Sequence, residues 1–395
     1  MTTFKRLAAL AGALLLGGAV AHAEPVRVGI IAPFSGPFSN FGEGWKAAIE
    51  AYQKLHGKTA GGQEIELIFR DLTGPNPSEA KALAQELIIK DRVQYLGGVV
   101  FTPNAFAIAP VVEEAKIPTV IFNAATSSVL DKSKYFVRTS YTLPQITVPI
   151  ARFMLDEGVK SVVTMVSDYA PGADAEASFV KTFEAGGGKV IEKVRVPLKT
   201  TDFGPFLQRV KGSAPQALFI FFPGGPPSYG VIKAYKDNDL RSTGIRLFGT
   251  SEADEKDLPA IGDAALGLES GMFYAGAHDS AANKAFVAAL KDVAPTAVAN
   301  ATALEGFDGM AAIYHMIEAT KGQRDPDAAM AAIRGFAWES PRGPVRIDPE
   351  SRHIVQNVYI RRVEKDADGK LFHQEFKTYE QQPDYGRTDA RHDAK

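Results

Sequence analysis

The groups in this chain best suited to chemistry are hydroxyls and backbone amides that follow predicted strands. Thr102 ends an apolar run and precedes Pro103, an order typical of a helix start, because threonine is a good N-cap and proline suits the first helical position. The amides of Asn104 and Ala105 would then point outward from a positive helix end, which can hold a carboxylate without a charged side chain. The alternative is an ordinary cap that its own hydroxyl satisfies.

A second polar turn follows the next predicted strand. It reads Asn123-Ala-Ala-Thr-Ser127 and consists of small, turn-forming residues. Such a turn could present further amides and the Thr126 hydroxyl to a ligand. A plain surface turn is the alternative.

Catalytic motifs are scarce. The segment Ser78-Glu-Ala-Lys81 has S-x-x-K spacing but lacks its companion motifs, and Ser78 follows Pro77 where a helix N-cap belongs. Gly42-Glu-Gly44-Trp-Lys-Ala47 loosely matches a dinucleotide fingerprint, yet it does not follow its strand directly, which favours a closely packed helix start. The 7 histidines show no metal-ligand spacing. We therefore expect no catalytic residue, no metal and no cofactor.

Short apolar runs alternate with amphipathic helical patterns through most of the chain. Residues 26–122 give strand, helix, strand in repetition, and the same order restarts at Gln145 and continues to Gly249. Repeated βαβ units predict parallel sheets covered by helices on both faces. Ligands of such sheets lie beyond the carboxyl ends of the strands. The loops of interest therefore follow the six predicted strand ends Ile31, Val100, Phe122, Ser167, Phe222 and Gly249.

The amino-terminal residues predict export. Lys5 and Arg6 precede an apolar stretch, and Ala21-His-Ala23 offers a small-x-small cleavage site, so residues 1–23 are interpreted as a signal peptide. Removing them lowers the basic side chains from 44 to 42 against 46 acidic ones, a net charge of −4. This balance gives no basic surface for nucleic acid. The chain has no cysteine, which excludes disulfides, thiolate metal sites and a lipid anchor.

Taken together, these loops resemble the branched-chain amino-acid class of ABC-transporter substrate-binding proteins. The resemblance covers nearly the whole mature chain and depends on the order and spacing of several segments. These segments are Ile31-Ala-Pro-Phe-Ser-Gly-Pro37 with Phe41-Gly42, Gly98-Val-Val-Phe-Thr102, Ala107-Ile-Ala-Pro110, Ile117-Pro118, Asn123-Ala-Ala-Thr126, Phe136-Val-Arg-Thr139, Asp168-Tyr169 and Gly306-Phe-Asp-Gly309.

The resemblance implies a type I periplasmic binding fold, in which two Rossmann-like lobes with parallel central sheets are joined by a three-stranded hinge. The amino-terminal lobe is expected to comprise residues 24–143 and 273–341. The carboxy-terminal lobe is expected to comprise residues 144–272 and 342–380. Residues 381–395 are polar without periodicity and are expected to form a disordered tail.

The resemblance also implies roles for individual residues. Thr102, Ala124 and Thr126 would grip the ligand carboxylate, and Phe41 would line the pocket. Tyr169 would close over the ligand from the second lobe. In amino-acid binders a late acidic residue pairs with the ammonium group, and Glu252 in Gly249-Thr-Ser-Glu252 is the nearest match, although this loop is one residue longer.

Several departures from the family pattern make the expected pocket more apolar. Phe41 lacks a hydroxyl often found there, Phe101 brings a large ring beside Thr102, and Phe222-Pro-Gly-Gly-Pro-Pro227 replaces a loop that often supplies an aromatic hydroxyl. Phe41, Phe101 and Asn123 complete the expected binding site. The expected ligand is a hydrophobic amino acid or a related small carboxylate, including an aromatic one.

The resulting hypothesis is a monomeric periplasmic receptor that closes by a hinge motion and docks on an inner-membrane ABC permease whose ATPase lies in the cytoplasm. A ligand sensor of the same fold, feeding a regulator or chemoreceptor, is the main alternative. An exported hydrolase is a third hypothesis, but Ser35, Thr102 and Thr126 have no histidine partner in any motif.

Overall fold

The computed structural model describes residues 24–386, and its first segment builds a sheet covered by helices. The predicted signal peptide, residues 1–23, lies outside the described residues, as do residues 387–395. The elements of the first segment are β1 (Val26–Ala32), α1 (Ser39–His56), β2 (Thr59–Ala60), β3 (Gln63–Asp71), α2 (Pro77–Ile89), β4 (Tyr95–Gly98), α3 (Thr102–Ala115), β5 (Thr119–Ile121) and β6 (Phe136–Arg138).

The first sheet has the strand order β2-β3-β1-β4-β5-β6. All its pairs are parallel except β2 with β3, and Val28 on β1 lies opposite both Leu67 on β3 and Tyr95 on β4. The chain goes from β1 to β3 on one side and then to β4 on the other side of β1, so the strand order reverses there. At this switch point the carboxyl ends of the strands open a crevice.

The second segment, residues 143–272, repeats this order of strands and helices, and the last segment, residues 281–382, adds elements to both lobes. The elements of the second segment are α4 (Leu143–Asp156), β7 (Ser161–Ser167), α5 (Ala170–Ala185), β8 (Lys189–Val196), α6 (Gly204–Ser213), β9 (Ala217–Phe221), α7 (Pro226–Asp237), β10 (Arg246–Gly249), α8 (Leu258–Ile261) and β11 (Glu269–Met272). Those of the last segment are α9 (Ala281–Val293), α10 (Ala301–Ala319), α11 (Pro326–Ala332), β12 (Ala337–Ser340), β13 (Gly343–Ile347), β14 (Ile354–Lys365) and β15 (Leu371–Gln382).

The second sheet has the order β12-β13-β14-β11-β10-β9-β7-β8, with β15 also paired to β14. Its strands are parallel from β11 to β8, whereas β14 runs antiparallel to β11, β13 and β15. Two mostly parallel sheets with covering helices confirm the predicted fold class. Among residues 24–386, no helix combines the length and apolarity required to cross a membrane.

The chain passes between the lobes three times. The first passage is residues 139–142 and the second is residues 273–280, between β11 and α9. The third boundary, at residue 342, stays a prediction. The strands on either side of it, β12 and β13, belong to the second sheet. Arg352, which follows β13, donates hydrogen bonds to the carbonyl oxygens of Leu130 and Ser133 (2.8 Å each) and Phe136 (2.9 Å) in the first lobe.

A buried ion pair between Arg342 and Asp308 lies against the first passage. Arg342 and Asp308 both have fully buried side chains, and their nearest charged atoms lie 2.6 Å apart. Arg342 also donates to the carbonyl oxygens of Thr139 (2.6 Å) and Ser140 (3.2 Å) in the first passage. Because these partners satisfy the guanidinium in the interior, the network fixes how the first passage and the turn between β12 and β13 sit against α10.

The carboxyl-terminal segment is ordered further than expected. The prediction began a disordered tail at Gln381, but β15 continues to Gln382 and Asp384 is buried. Asp384 accepts hydrogen bonds from the hydroxyls of Ser127 (2.7 Å) and Thr142 (2.8 Å). The prediction missed this because the segment gains its order from partners more than 240 residues away in the chain.

The helix starts differ in detail from those expected. Asn76, not Ser78, caps α2, because its Oδ1 accepts the Glu79 N–H. Gly42 in α1 is closely packed, as predicted, since a Cβ there would overlap the carbonyl oxygen of Pro33. Helix α3 starts at Thr102 with Phe101 as its N-cap, and no side chain caps it.

Candidate functional site

A cavity of about 670 Å³, including the part open to solvent, lies between the lobes at the carboxyl ends of the strands. Its walls come from both lobes and from the first passage. The lining residues are Asn40, Phe41, Val100, Phe101, Thr102, Asn123, Ala125, Ala301, Thr302 and Glu305 of the first lobe, Tyr141 and Leu143, and Tyr169, Pro171, Phe221, Pro223, Gly224, Ser251, Asp254, Asp257 and Met272 of the second lobe.

The two lobes touch across this cavity, so the structure is a closed form. The Lys256 ammonium lies 2.7 Å from the Glu43 carboxylate of the opposite lobe. Asp254 of the second lobe accepts a hydrogen bond from Asn300, which precedes α10, and from the Thr302 hydroxyl at 3.3 Å. These contacts can form only when the cleft is shut.

Of the three residues expected to bind the ligand carboxylate, only Thr102 lines the cavity. Thr102 lines the cavity and donates its hydroxyl to Thr126 at 3.2 Å, whereas Thr126 lies behind it and is not among the lining residues. Ala124 is buried and its N–H donates to the Val99 carbonyl at 3.0 Å, so this amide is engaged elsewhere. Its neighbour Ala125 lines the wall instead.

The expected amide donors of α3 also differ. The N–H groups of Asn104 and Ala105 both donate to the Phe101 carbonyl, at 3.0 and 3.1 Å. The prediction of outward-pointing amides at these two positions is therefore wrong, because the helix begins one residue earlier than expected. Helix geometry instead gives the N–H groups of Phe101 and Thr102 no acceptor within α3.

The aromatic residues singled out from the sequence meet in the cavity. Phe41 and Phe101 come from the first lobe, and Tyr169 enters from the second. Tyr169 stacks on Phe221 with ring centroids 6.3 Å apart and planes 17° apart. Asn123 reaches the wall as well. Topology explains this convergence, since every one of these residues follows a strand end or opens the next helix.

Glu252 does not line the cavity. Its side chain is fully buried, and its carboxylate accepts the N–H of Phe222 at 3.1 Å, the N–H of Thr250 at 2.5 Å and the Thr250 hydroxyl at 3.2 Å. The expectation that Glu252 pairs with a ligand ammonium is therefore not supported by its position. The carboxylate instead links the ends of β9 and β10, and burial raises its pKa to about 7.

Sequence reasoning missed three carboxyl groups on the wall: Glu305, Asp254 and Asp257. Burial raises the pKa of Glu305 well above its ordinary value, and burial together with the nearby Asp254 raises that of Asp257 to about 7. Glu305 directly precedes the Gly306-Phe-Asp-Gly309 segment, and Asp254 and Asp257 follow the strand end at Gly249. Their positions beside this segment and this strand end are the sequence signals that could have identified them.

Tyr141 was also missed, although it lies close to the predicted lobe boundary at residues 143/144. Its side chain is buried and lies beside Asn123 of the first lobe and Ser251 of the second. Burial raises its pKa, so the phenol stays neutral. Tyr141 thus lies between the two walls of the cavity.

Two hinged α/β lobes around a closed, aromatic-lined cavity define a ligand-binding protein. Residues 25–370 match the periplasmic binding protein family, and the chain belongs to that family. Its members with this fold serve ABC transporters as substrate-binding proteins, and this chain is one of them.

Several relatives resemble the chain over nearly their full length. It is 48% identical over 373 residues to Leu/Ile/Val-binding protein homolog 6 of Brucella abortus strain 2308, covering 94% of this chain and 96% of the relative. A solute-binding protein of an ABC transporter from Rhodopseudomonas palustris HaA2, solved with p-hydroxybenzoic acid, is 51% identical with a TM-score of 0.90. A counterpart from strain BisB5, solved with 3,4-dihydroxybenzoic acid, is 42% identical with a TM-score of 0.88. Each alignment covers 92% of this chain and 99% of the solved chain.

Proposed function

We propose that this protein captures an aromatic carboxylate of the hydroxybenzoate class between its lobes and delivers it to an ABC importer. The observation that carries the proposal is the position of Glu252. Its carboxylate is saturated by N–H and hydroxyl groups behind the wall, so it offers no partner to an ammonium group in the closed form. An aromatic acid without an amino group needs no such partner.

The cavity walls support the same ligand class. Aromatic side chains line it from both lobes and from the passage between them: Phe41, Phe101, Tyr141, Tyr169 and Phe221. Aromatic rings prefer offset-stacked or edge-to-face neighbours, worth about 0.5–1.5 kcal/mol per pair beyond the buried area. A flat ring between these side chains can gain several such contacts, whereas an aliphatic side chain gains burial alone.

None of the residues between 24 and 386 that line the cavity is Lys, Arg or His. The ligand carboxylate would therefore be held by hydrogen bonds from the N–H groups at the start of α3 and from the Thr102 hydroxyl, which would turn from Thr126 to the ligand. Hydrogen bonds to a charged group contribute about 1.5–3 kcal/mol each. Contacts from both lobes then favour closure, because they exist only in the closed form.

A hydrophobic amino acid is the second candidate. It is favoured by the three acidic side chains that line the cavity, Asp254, Asp257 and Glu305, since any of them, once ionised, could face an ammonium group. The name of the Brucella relative also points to leucine, isoleucine and valine.

We further infer a role in binding without turnover, in the periplasm, as a monomer that meets an inner-membrane permease. Relatives of this chain are substrate-binding proteins, which supports this assignment. The inferred location agrees with the predicted signal peptide and with the family, whose members are periplasmic.

Isothermal titration calorimetry of the mature protein tests the ligand class. Titrations with 4-hydroxybenzoate, 3,4-dihydroxybenzoate, benzoate, leucine and valine should give an affinity for a hydroxybenzoate at least about a hundredfold above that for leucine, a difference of about 2.8 kcal/mol. Tight binding of leucine with no heat from the aromatic acids would reject the proposal. Recovery of the aromatic ligand unchanged after incubation tests the absence of turnover.

A further inference from the structure

The side chain of Glu305 is held at the cavity wall from two directions. Its Oε1 accepts a hydrogen bond from the Asn123 side-chain amide at 2.8 Å, and its Oε2 accepts one from the Trp45 indole N–H at 3.3 Å. Trp45 is fully buried, and Gly306 packs so closely on it that a Cβ there would lie 2.9 Å from the Trp45 Cα. The carboxyl group is therefore immobilised before any ligand arrives.

Glu305 and Thr102 reach the cavity from opposite faces of the first sheet. Right-handed crossovers place α1, which joins β1 to β3, on one face, and α2 and α3, which lead toward β5, on the other. Helix α10 packs on α1, while α3 packs on α2. Thr102 begins α3 and Glu305 lies in the first turns of α10, so the cavity has a hydroxyl-and-amide side and a carboxyl side.

The surroundings of Glu305 favour the uncharged, protonated form of its carboxyl group. Both of its hydrogen-bond donors are uncharged, and no basic side chain is among the residues that line the cavity. Burial raises the pKa of Glu305 well above its ordinary value, with the nearby Asp254 adding to the effect. An uncharged carboxyl group does not repel a ligand carboxylate, and it retains oxygen lone pairs that can accept a hydrogen bond.

We propose that Glu305 is the specificity-determining residue for a hydroxyl substituent on the ligand ring, and that it accepts the hydrogen of this hydroxyl while Thr102 holds the carboxylate on the opposite side. The assignment rests on the proposed function and deepens it. It predicts that the cavity selects hydroxylated aromatic acids over benzoate, because a ligand without the hydroxyl leaves a buried oxygen of Glu305 with one partner fewer.

Calorimetry with two ligands and three proteins tests this assignment. The wild type should prefer 4-hydroxybenzoate to benzoate by about tenfold to a hundredfold, the range expected for one buried hydrogen bond. Glu305→Leu should reduce this preference to less than about threefold. Asn123 and Trp45 also lose their acceptor in this variant, but they lose it with either ligand, so the ratio of the two affinities reports the hydroxyl contact alone. Glu305→Gln keeps an acceptor oxygen and should retain most of the preference.

Glu252→Gln is the matched control, because it replaces another buried carboxyl group with a raised pKa that does not line the cavity. It should leave the preference for the hydroxyl within about threefold of wild type, since it alters no group that contacts the ligand. Loss of the preference in Glu252→Gln, with Glu305→Leu unaffected, would overturn the assignment.

A spectroscopic measurement covers the case in which Glu305→Leu does not fold. The infrared band of the protonated carboxyl, identified by its absence in Glu305→Gln, should shift on binding 4-hydroxybenzoate and stay in place on binding benzoate. A band that responds equally to both ligands would overturn the assignment.

Failure of this inference is distinguishable from failure of the proposed function. If the wild type binds leucine but neither aromatic acid, the proposed function is wrong. If both aromatic acids bind and Glu305→Leu weakens them by the same factor, the ligand class stands and only the role of Glu305 is rejected. A large loss of leucine affinity in Glu305→Gln would instead indicate that this carboxylate pairs with an ammonium group.

Discussion

Replacing Glu252 by glutamine should change the stability of the protein and leave ligand binding nearly unaltered. The side chain is fully buried and accepts hydrogen bonds from Phe222 and Thr250. Glutamine has the same shape but presents an NH₂ group in place of one oxygen. This NH₂ would face a backbone N–H, so two donors would oppose each other in the interior.

The size and the pH dependence of the effect follow from these contacts. Losing one buried acceptor costs about 1–3 kcal/mol of unfolding free energy. In the wild type, ionisation of Glu252 also lowers the free energy of unfolding, because burial raises the pKa of this group from 4.5 to about 7. Between these values the folded state holds a proton that the unfolded chain has released, so stability falls as pH rises. Over this interval the loss is about 3 kcal/mol.

Glutamine does not titrate, so the Glu252→Gln variant escapes this loss of stability. At pH 5 the variant should be less stable than the wild type by about 1–3 kcal/mol, owing to the opposed donors. By pH 8 the difference should shrink to about zero or reverse, because only the wild type must ionise a buried carboxyl group. Glu50→Gln, on the exposed side of α1, serves as the control and should change stability by less than about 0.5 kcal/mol.

Urea denaturation of the three proteins at pH 5 and pH 8 measures these differences, and calorimetry measures binding. The affinity of Glu252→Gln for 4-hydroxybenzoate should stay within about threefold of wild type, since Glu252 lies behind the wall. An unfolding free energy equal to wild type at both pH values, together with a loss of affinity above tenfold, would refute this reasoning. It would mean that the carboxylate reaches the ligand in solution.

Two further predictions concern ligand capture and closure. Thr102→Val keeps the shape of the side chain and removes the hydroxyl, so affinity for an aromatic carboxylate should fall about tenfold or more in calorimetry, whereas Thr102→Ser should stay near wild type. Equal affinity in Thr102→Val would show that this hydroxyl contributes nothing. Asp254→Ala removes the hydrogen bonds to Asn300 and Thr302 across the cleft, so small-angle X-ray scattering should find the unliganded variant more open than wild type. An unchanged radius of gyration would contradict the proposed part of Asp254 in closure.

Much of the scaffold could be predicted because its signals are local. Strands β7 and β10 end at Ser167 and Gly249, where the apolar runs predict that they end. Other elements left weak signals. Helix α9 (Ala281–Val293) was not predicted, and neither was β15, whose residues are largely polar and which forms because β14 offers it a partner. Pairing with a distant strand overrides local preference.

The cavity residues also fall into two groups: those that local sequence signals could identify, and those that depend on distant partners. Phe41, Phe101, Thr102, Asn123 and Tyr169 could be selected beforehand, because parallel sheet topology forces the ends of the strands to one edge. Their roles toward a ligand remain predictions. Glu305 could not be selected in this way, since its partner Trp45 is 260 residues distant in the chain.

By itself, the sequence determined two successive α/β units and the loops at their strand ends, since alternating periodicity and strand-end turns act over a few residues. Only the tertiary structure decided which carboxyl groups face the cavity. Glu252 turns inward because backbone N–H groups of Phe222, thirty residues away, and Thr250 require an acceptor there. Such a requirement arises when distant segments meet, and burial then determines which carboxyl groups carry charge.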